Sequence, residues 1–214
     1  MTHSDNPLNE RITQKSMHGV SPTLIIVPGW RDSAPGHWQS LWAESIPGAL
    51  RTVQDDWETP KREAWVGALT RQILAVEGPV VIAAHSLGCM ATVHLSPEAA
   101  ARIQGALLVA PADPERRGAL ADFAPVPSQR LPYPNILVAS NTDPYCPVRT
   151  AGAYARAWGS EFVRLNDAGH INLESGHGPW SLGLALLQSL MVDVHSARPD
   201  TVPTYSFQLQ EIAV

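Results

Sequence analysis

The stretch of sequence that decides the fold is VVIAAHSLG, which spans residues 80–88. Its first five residues form an uninterrupted apolar run, as expected of a central parallel strand that is covered on both faces. Its last five residues match the turn pattern G-x-S-x-G, with Ala84 in place of the first glycine. Such a turn brings neighbouring backbone segments so close that only small residues fit two positions from the serine. The stretch therefore predicts a strand, a tight turn at Ser86 and a helix that begins at Leu87.

A serine in such a turn is a candidate nucleophile. The turn places the hydroxyl of Ser86 above the end of the strand, near a helix N-terminus whose partial positive charge favours a developing oxyanion. The alternative is structural, because a serine at this position could simply cap the following helix. The pentapeptide alone is a weak signal, and the apolar strand before it strengthens the prediction.

Strands and helices alternate on both sides of this stretch. Apolar runs predict strands at 24–27, 105–110 and 135–140, and further strands are expected at 51–54 and 161–165. Helical spacing predicts helices at 37–45, 64–74, 148–158 and 179–195, and another from the turn to residue 95. This alternation predicts a mostly parallel sheet with helices on both faces. The segment 111–134 holds six prolines and one glycine, which indicates an insertion or loop over the sheet.

Two polar residues follow later strands in the chain order serine, acid, histidine that accompanies a nucleophile turn of this type. Asp143 lies in the turn after the predicted strand 135–140, and His170 lies in the turn after 161–165. The carboxyl ends of parallel strands meet at one edge of the sheet, where such sheets place their sites. A serine hydroxyl needs an imidazole to remove its proton and a carboxylate to orient that imidazole. The sequence therefore predicts His170 as the base and Asp143 as the acid.

Other residues could fill these two roles. His85 is next to the serine, but its side chain is expected to point away from the hydroxyl. His177 could instead cap or line the site. Asp167 lies in the same turn as the predicted base and is too near along the chain to reach its far nitrogen easily. Asp113 follows an earlier strand and is the better alternative acid.

Two backbone N–H groups are predicted to form an oxyanion hole. One belongs to Leu87, directly after the serine, and the other to Trp30 in the loop after the first core strand. Gly29 allows the close turn that this loop needs. The indoles of Trp30, Trp38 and Trp180 are candidate substrate-binding groups, and each could equally be a core residue.

Composition limits the kind of protein further. The 214 residues suit one domain, and 44 % hydrophobic with 16 % charged residues is typical of globular chains. A net charge of −5, with no basic cluster longer than a pair, argues against a nucleic-acid partner. The polar segment 1–22 is expected to be a flexible lead-in without a signal peptide, and no apolar run is long enough to span a membrane. Two cysteines give neither a disulfide framework nor a zinc motif, so we expect a cytoplasmic protein without metal.

The C-terminal tail, residues 196–214, has a pattern of its own. Tyr205, Phe207 and Leu209 alternate with polar residues, which is the period of a half-buried strand. The tail could add an edge strand to a neighbouring subunit and so form a homo-oligomer, or it could be a frayed terminus.

Five segments, taken together and in order, resemble a known family. They are IIVPGW at 25–30, GHWQSLW at 36–42, AHSLG at 84–88, SNTDPY at 140–145 and DAGH at 167–170. The chain from about 23 to 195 is similar to the small serine hydrolase family that includes retinoblastoma-binding protein nine and many short bacterial hydrolases. The resemblance implies a compact α/β-hydrolase fold with little or no lid and a triad of Ser86, Asp143 and His170. The pocket-protein signature L-x-C-x-E is absent, because residues 74–77 read LAVE, so retinoblastoma-type binding is not implied.

The expected function is hydrolysis of a small carboxylic ester or amide through an acyl-enzyme on Ser86, with no cofactor. Thioesters and peptides remain open as substrates. The alternatives from other classes are a non-catalytic scaffold on a hydrolase fold and an acyltransferase. The expected partner is a small-molecule substrate, not nucleic acid or a membrane.

Overall fold

The computed structural model, which describes residues 21–192, confirms the predicted central strand as β3 (Val80–His85), with every residue buried. This strand pairs with β1 (Thr23–Val27) on one side and β4 (Ile103–Val109) on the other. Three more strands of the described residues belong to this sheet, namely β2 (Leu50–Arg51), β5 (Asn135–Ser140) and β6 (Glu161–Leu165). The order is β2-β1-β3-β4-β5-β6, and every neighbouring pair is parallel. The carboxyl ends of all six strands therefore lie at one edge of the sheet.

Six α-helices among the described residues cover the two faces of the sheet. They are α1 (Trp38–Ser45), α2 (Arg62–Ala75), α3 (Leu87–Val93), α4 (Pro97–Ala100), α5 (Val148–Trp158) and α6 (Ser181–Val192). Helices α2 to α5 pack in one hydrophobic layer, and α1 and α6 pack in the other. Successive side chains of β3 point to opposite faces of the sheet, so Ile82 packs in the first layer and Val81 and Ala83 pack in the second. The three-layer α/β architecture predicted from the sequence is thus confirmed.

Helix α5 shows how local sequence produces these elements. Its buried residues Ala151, Ala155 and Trp158 recur at helical spacing and form one face. The helix ends at Gly159, whose φ of +72° is in the left-handed region that glycine adopts at little cost. Because α5 contacts both β5 and β6, it helps to set the positions of the loops that follow these strands.

Two segments differ from, or add detail to, the sequence interpretation. The strand expected at 51–54 is only Leu50–Arg51, because the chain then leaves the sheet and exposes 71 % of Val53. The proline-rich segment 111–134 forms two short 3-10 turns, Pro114–Arg116 and Gly118–Phe123, and otherwise has no regular structure. Its residues Leu120 and Phe123 are buried in the layer that contains α3. This part of the chain therefore packs onto the core as the predicted loop over the sheet.

Some predictions concern other parts of the chain. Residues 1–20 of the predicted lead-in lie outside the described residues. The predicted tail over 196–214, with its possible edge strand, also lies outside them. In the described part, no helix has the length and apolarity needed to cross a membrane.

Candidate active site

Ser86 occupies a strained turn between β3 and α3. Its φ of 54° and ψ of −117° are unusual for a residue with a side chain. The surrounding backbone holds this conformation. Its N–H donates to the carbonyl of Val109 at 3.0 Å, and its carbonyl accepts from the N–H groups of Cys89 at 3.1 Å and Ala112 at 3.2 Å. The strand, the turn and the helix therefore place Ser86 at the carboxyl edge of the sheet, as the sequence predicted.

Glycine is needed around Ser86 because two backbone segments pass very close to the turn. A Cβ added to Gly88 would lie 2.3 Å from the carbonyl oxygen of Val27 and 2.7 Å from that of Pro28. A Cβ added to Gly29 would lie 2.8 Å from the Ser86 Cβ. The loop after β1 is therefore packed directly against the serine.

Ser86, His170 and Asp143 form a continuous chain of hydrogen bonds. The Ser86 Oγ lies 3.0 Å from the His170 Nε2. The His170 Nδ1 lies 3.0 Å and 2.9 Å from the two carboxylate oxygens of Asp143. The side chains of His170 and Asp143 are only 9 % and 1 % exposed. This arrangement can take a proton from the serine and stabilise the resulting imidazolium with a buried carboxylate.

The loops that carry Asp143 and His170 are joined by a set of hydrogen bonds that we call the loop clamp. Three consecutive side chains, at the last residue of β5 and the two residues after it, accept hydrogen bonds from three consecutive backbone N–H groups after β6. The pairs are Ser140 Oγ with Ala168 at 3.0 Å, Asn141 Oδ1 with Asp167 at 2.7 Å, and Thr142 Oγ1 with Gly169 at 3.1 Å. The next residues along the two loops are Asp143 and His170. The clamp therefore holds the carboxylate and the imidazole at a defined separation.

Further contacts restrain the backbone and the ring of His170. The indole N–H of Trp38 donates to the carbonyl of Ile171 at 3.0 Å, and the His85 Nε2 lies 2.9 Å from the carbonyl oxygen of His170. Tyr145 packs edge-on against the His170 ring, with centroids 4.4 Å apart. The imidazole is thus restrained on several sides, which favours one orientation toward Ser86.

A cavity of about 420 Å³ opens beside Ser86 and His170. Its walls come from the loop after β1, the segment after β4, and residues 172–174. Trp30 lines this cavity, and its indole N–H donates to the carbonyl of Glu58 at 2.9 Å. Leu87 is the first residue of α3 and directly follows the serine. The role of the Trp30 and Leu87 N–H groups as oxyanion donors stays a prediction.

The other two tryptophans are core residues, in contrast to the prediction that they contact substrate. Trp38 is fully buried and Trp180 is 8 % exposed, and neither lines the cavity. Both belong to the hydrophobic layer of α1 and α6, where their ring centroids lie 5.3 Å apart. Burial of these large rings stabilises the fold beneath the site. Trp38 supports the site through its bond to Ile171 and through ring contacts with His37 and His85, at centroid distances of 5.4 and 6.0 Å.

The alternative acids and bases have other partners. Asp113 lines the cavity but accepts a hydrogen bond from the Glu115 N–H at 3.2 Å, as the cap of a 3-10 turn. Asp167 is exposed, and His177 does not line the cavity. His85 contacts the backbone of the base rather than the serine hydroxyl.

The sequence interpretation overlooked His37 and the loop clamp. His37 lines the cavity and is 4 % exposed, and burial together with the nearby Arg51 charge lowers its pKa to about 4. Burial also holds the pKa of His85 well below its usual value. The segments GHWQSLW and SNTDPY contained these residues, but nothing in a single sequence shows which of their side chains meet. Within residues 21–192, no group of three His, Cys, Asp or Glu side chains could hold a metal ion.

Comparison with known proteins assigns the family. A family model described as serine hydrolase matches residues 24–189. The chain belongs to this serine hydrolase family. A comparison with curated proteins found no match.

Solved structures agree with this serine hydrolase assignment. A YdeN-like hydrolase of Pectobacterium atrosepticum is 35 % identical, with 86 % of this chain and 94 % of that chain covered and a TM-score of 0.74. The ydeN gene product of B. subtilis is 20 % identical, with 79 % and 98 % covered and a TM-score of 0.67. Esterase 2 of Thermogutta terrifontis, phosphorylated by paraoxon, is 17 % identical, with 84 % and 85 % covered and a TM-score of 0.60. The last two share the fold with this chain.

Proposed function

We propose that this serine hydrolase cleaves small carboxylic esters or amides through an acyl-enzyme on Ser86. The observation that carries the proposal is the unbroken hydrogen-bond chain from the Ser86 Oγ through His170 to the buried carboxylate of Asp143. A neutral serine is a poor nucleophile, and this chain supplies both the base and the group that orients it.

In the first half of the proposed reaction, the Ser86 Oγ attacks the substrate carbonyl carbon while its proton moves to the His170 Nε2. Asp143 accepts a hydrogen bond from the His170 Nδ1–H and stabilises the imidazolium that forms. The backbone N–H groups of Trp30 and Leu87 donate to the oxyanion of the tetrahedral intermediate. The intermediate collapses, the bond to the leaving group breaks, and His170 gives its proton to the departing alcohol or amine.

In the second half, His170 takes a proton from a water molecule, and the resulting hydroxide attacks the acyl carbon on Ser86. The ester bond to Ser86 breaks, and the imidazolium returns the proton to the serine oxygen. The free acid leaves, and the starting protonation states are restored. No cofactor enters this scheme. The volume of the cavity, about 420 Å³, suits a small molecule.

Paraoxon provides a direct test of the proposed nucleophile. The Ser86 oxygen should form a bond to phosphorus as the bond to 4-nitrophenolate breaks, so the protein gains one diethylphosphoryl group and releases one chromophore. Intact mass and absorbance should show this for the wild type and for Ser45→Ala, an exposed serine on α1. The variant Ser86→Ala should show neither. A folded wild type that paraoxon does not label would support the non-catalytic scaffold instead.

The proposed acid can be tested by comparing two aspartates of the cavity region. Asp143→Asn should lower kcat for a short-chain aryl ester by about 10³- to 10⁴-fold, because the amide favours the wrong imidazole tautomer. Asp113→Asn should lower kcat much less, since this carboxylate caps a turn. If Asp113→Asn were the more damaging change, the assignment of Asp143 would be wrong.

A further inference from the structure

Two histidines line the cavity beside Ser86 and take part in no proton transfer of the proposed reaction. His37 immediately precedes α1, and His85 is the last residue of β3. Their ring centroids lie 5.0 Å apart, and the two residues are 4 % and 5 % exposed. Both residues are therefore largely buried in the wall of the cavity.

Hydrogen bonds define which nitrogen of each ring carries the proton. The His37 Nδ1 accepts from the Gln39 N–H at 3.1 Å, so in the neutral ring the proton is on Nε2. The His85 Nε2 faces the carbonyl oxygen of His170 at 2.9 Å. A carbonyl oxygen only accepts hydrogen bonds, so the His85 proton is on Nε2 and Nδ1 is bare. His37 therefore has a free N–H donor at Nε2, and His85 has a free acceptor lone pair at Nδ1.

These two remaining nitrogens have no partner among the described residues. Neither the His37 Nε2 nor the His85 Nδ1 hydrogen-bonds to another of residues 21–192. Three side-chain atoms in this range are fully buried and have no hydrogen-bond partner. They are Gln54 Nε2, His94 Nε2 and Tyr133 Oη. The two imidazole nitrogens are outside this set, and both residues line the cavity, so we expect a ligand in the cavity to reach them.

The pair carries no charge at neutral pH. Burial lowers the pKa of His37 to about 4, and it lowers the pKa of His85 well below the usual value. An ionised substrate group would therefore find no opposite charge at these rings. A hydroxyl or an amide can both accept from an N–H and donate to a lone pair, so it satisfies both nitrogens.

We propose that His37 and His85 form an uncharged subsite that holds a hydroxyl or amide group of the substrate, with the His37 Nε2–H as donor and the His85 Nδ1 as acceptor. This inference rests on the proposed function, because it assigns the polar part of a substrate that Ser86 cleaves. Sites built to bond a polar group discriminate strongly against analogues that lack it, because their own polar atoms are then left unpaired.

The test compares matched esters that differ only in one polar group. One set of aryl esters pairs butanoate with 2-hydroxybutanoate and 3-hydroxybutanoate, and 4-methylpentanoate with N-acetylglycine, which has the same size and branching. The other set consists of butanoate esters of propanol and propane-1,2-diol. For the wild type, at least one hydroxyl or amide compound should exceed its apolar partner in kcat/KM by about tenfold or more. Labelling by paraoxon is measured on the same preparations.

His37→Asn separates the two roles of His37. The asparagine oxygen can still accept from the Gln39 N–H and cap α1, whereas the donor at the Nε2 position is lost. This variant should reduce the preference for the polar ester about tenfold, and the reduction should appear as a change in the ratio of kcat/KM values. His177→Asn, which removes a nearby imidazole that does not line the cavity, should keep the wild-type ratio.

The outcomes distinguish the two proposals. A wild type that paraoxon does not label at Ser86 would overturn the proposed function. A labelled wild type with no preference for any polar ester would overturn only the subsite. A preference that His37→Asn leaves unchanged, or that His177→Asn reduces equally, would also overturn the subsite.

Discussion

The nucleophile turn and the loop clamp hold their residues by different physical means. The strained backbone of Ser86 is held by backbone hydrogen bonds and by close packing, because the loop after β1 passes within contact distance of the turn. His170 and Asp143 are held by side-chain hydrogen bonds, in which three side chains at and just after the end of β5 accept from three backbone N–H groups after β6. The first region is thus sensitive to added volume, and the second is sensitive to the loss of an acceptor.

The loss of folding stability caused by a single substitution should differ greatly between the two regions. Overlap with backbone atoms cannot be relieved by rotating a side chain, so an added methyl group must displace a strand or a helix. A single hydrogen bond contributes only about 1 kcal/mol to stability, although it can fix a geometry on which the reaction depends. We therefore expect packing changes to affect folding and clamp changes to affect turnover.

Gly88→Ala should give the largest effect. The new Cβ would lie 2.3 Å from the Val27 carbonyl oxygen, so we expect a loss of about 4 kcal/mol or more in the free energy of unfolding, or no folded protein. Thermal unfolding measures this loss, which corresponds to a Tm decrease of about 10 °C for a domain of this size. Gly118→Ala is the matched control, because a Cβ there would meet nothing within 4 Å. Equal Tm values for the two variants would contradict the packing argument.

Lowering the pH should reduce the stability of the folded protein, because the buried imidazole of His37 is neutral in the folded state. The pKa of His37 falls from 6.5 in the unfolded chain to about 4 in the folded protein, so the unfolded state binds this proton first. Its contribution to stability is complete above about pH 6.5 and decreases as the pH falls, by about 3 kcal/mol at pH 4.

Chemical denaturation of the wild type and His37→Asn between pH 7 and 4 measures this contribution. The helix cap is kept in the variant, so its stability should depend less steeply on pH. Parallel pH profiles for the two proteins would show that His37 is not the group responsible.

Loss of one clamp acceptor should give the smallest effect on stability. Thr142→Val has nearly the same shape as threonine but cannot accept from the Gly169 N–H, so we expect a loss of about 1 kcal/mol in stability. The value of kcat for an aryl ester should fall about tenfold, because small errors in catalytic geometry are costly. Thr142→Ser keeps the hydroxyl and should restore kcat. If both variants turned over like the wild type, the clamp would not position the base.

Much of this arrangement follows from local sequence patterns. The apolar run at 80–84 and the small residues around Ser86 predicted the turn, and the alternation of strands and helices predicted the parallel sheet. Since parallel strands end at one edge, the order Ser86, Asp143, His170 along the chain was enough to expect the three side chains to meet there. The bounds of β5, β6 and α5 were also predicted correctly.

The aromatic residues were harder to place. Trp30, Trp38 and Trp180 have the same side chain, yet only Trp30 lines the cavity. Whether an indole faces a cavity or the core depends on which helix packs beneath it, and that contact joins segments far apart in the chain. The clamp and the two cavity histidines were overlooked for the same reason.

The amino-acid sequence by itself determined the strand-turn-helix at Ser86, the parallel sheet, and the order in which the three polar residues reach its edge. These depend on hydrophobic periodicity and on the steric limits of a tight turn, which act over a few neighbouring residues. Only the tertiary structure decided the partner of His170, the burial of Trp38 and Trp180, and the meeting of His37 with His85 in one wall. Each of these is a contact between distant segments, and its geometry exists only after the layers of the fold have packed together.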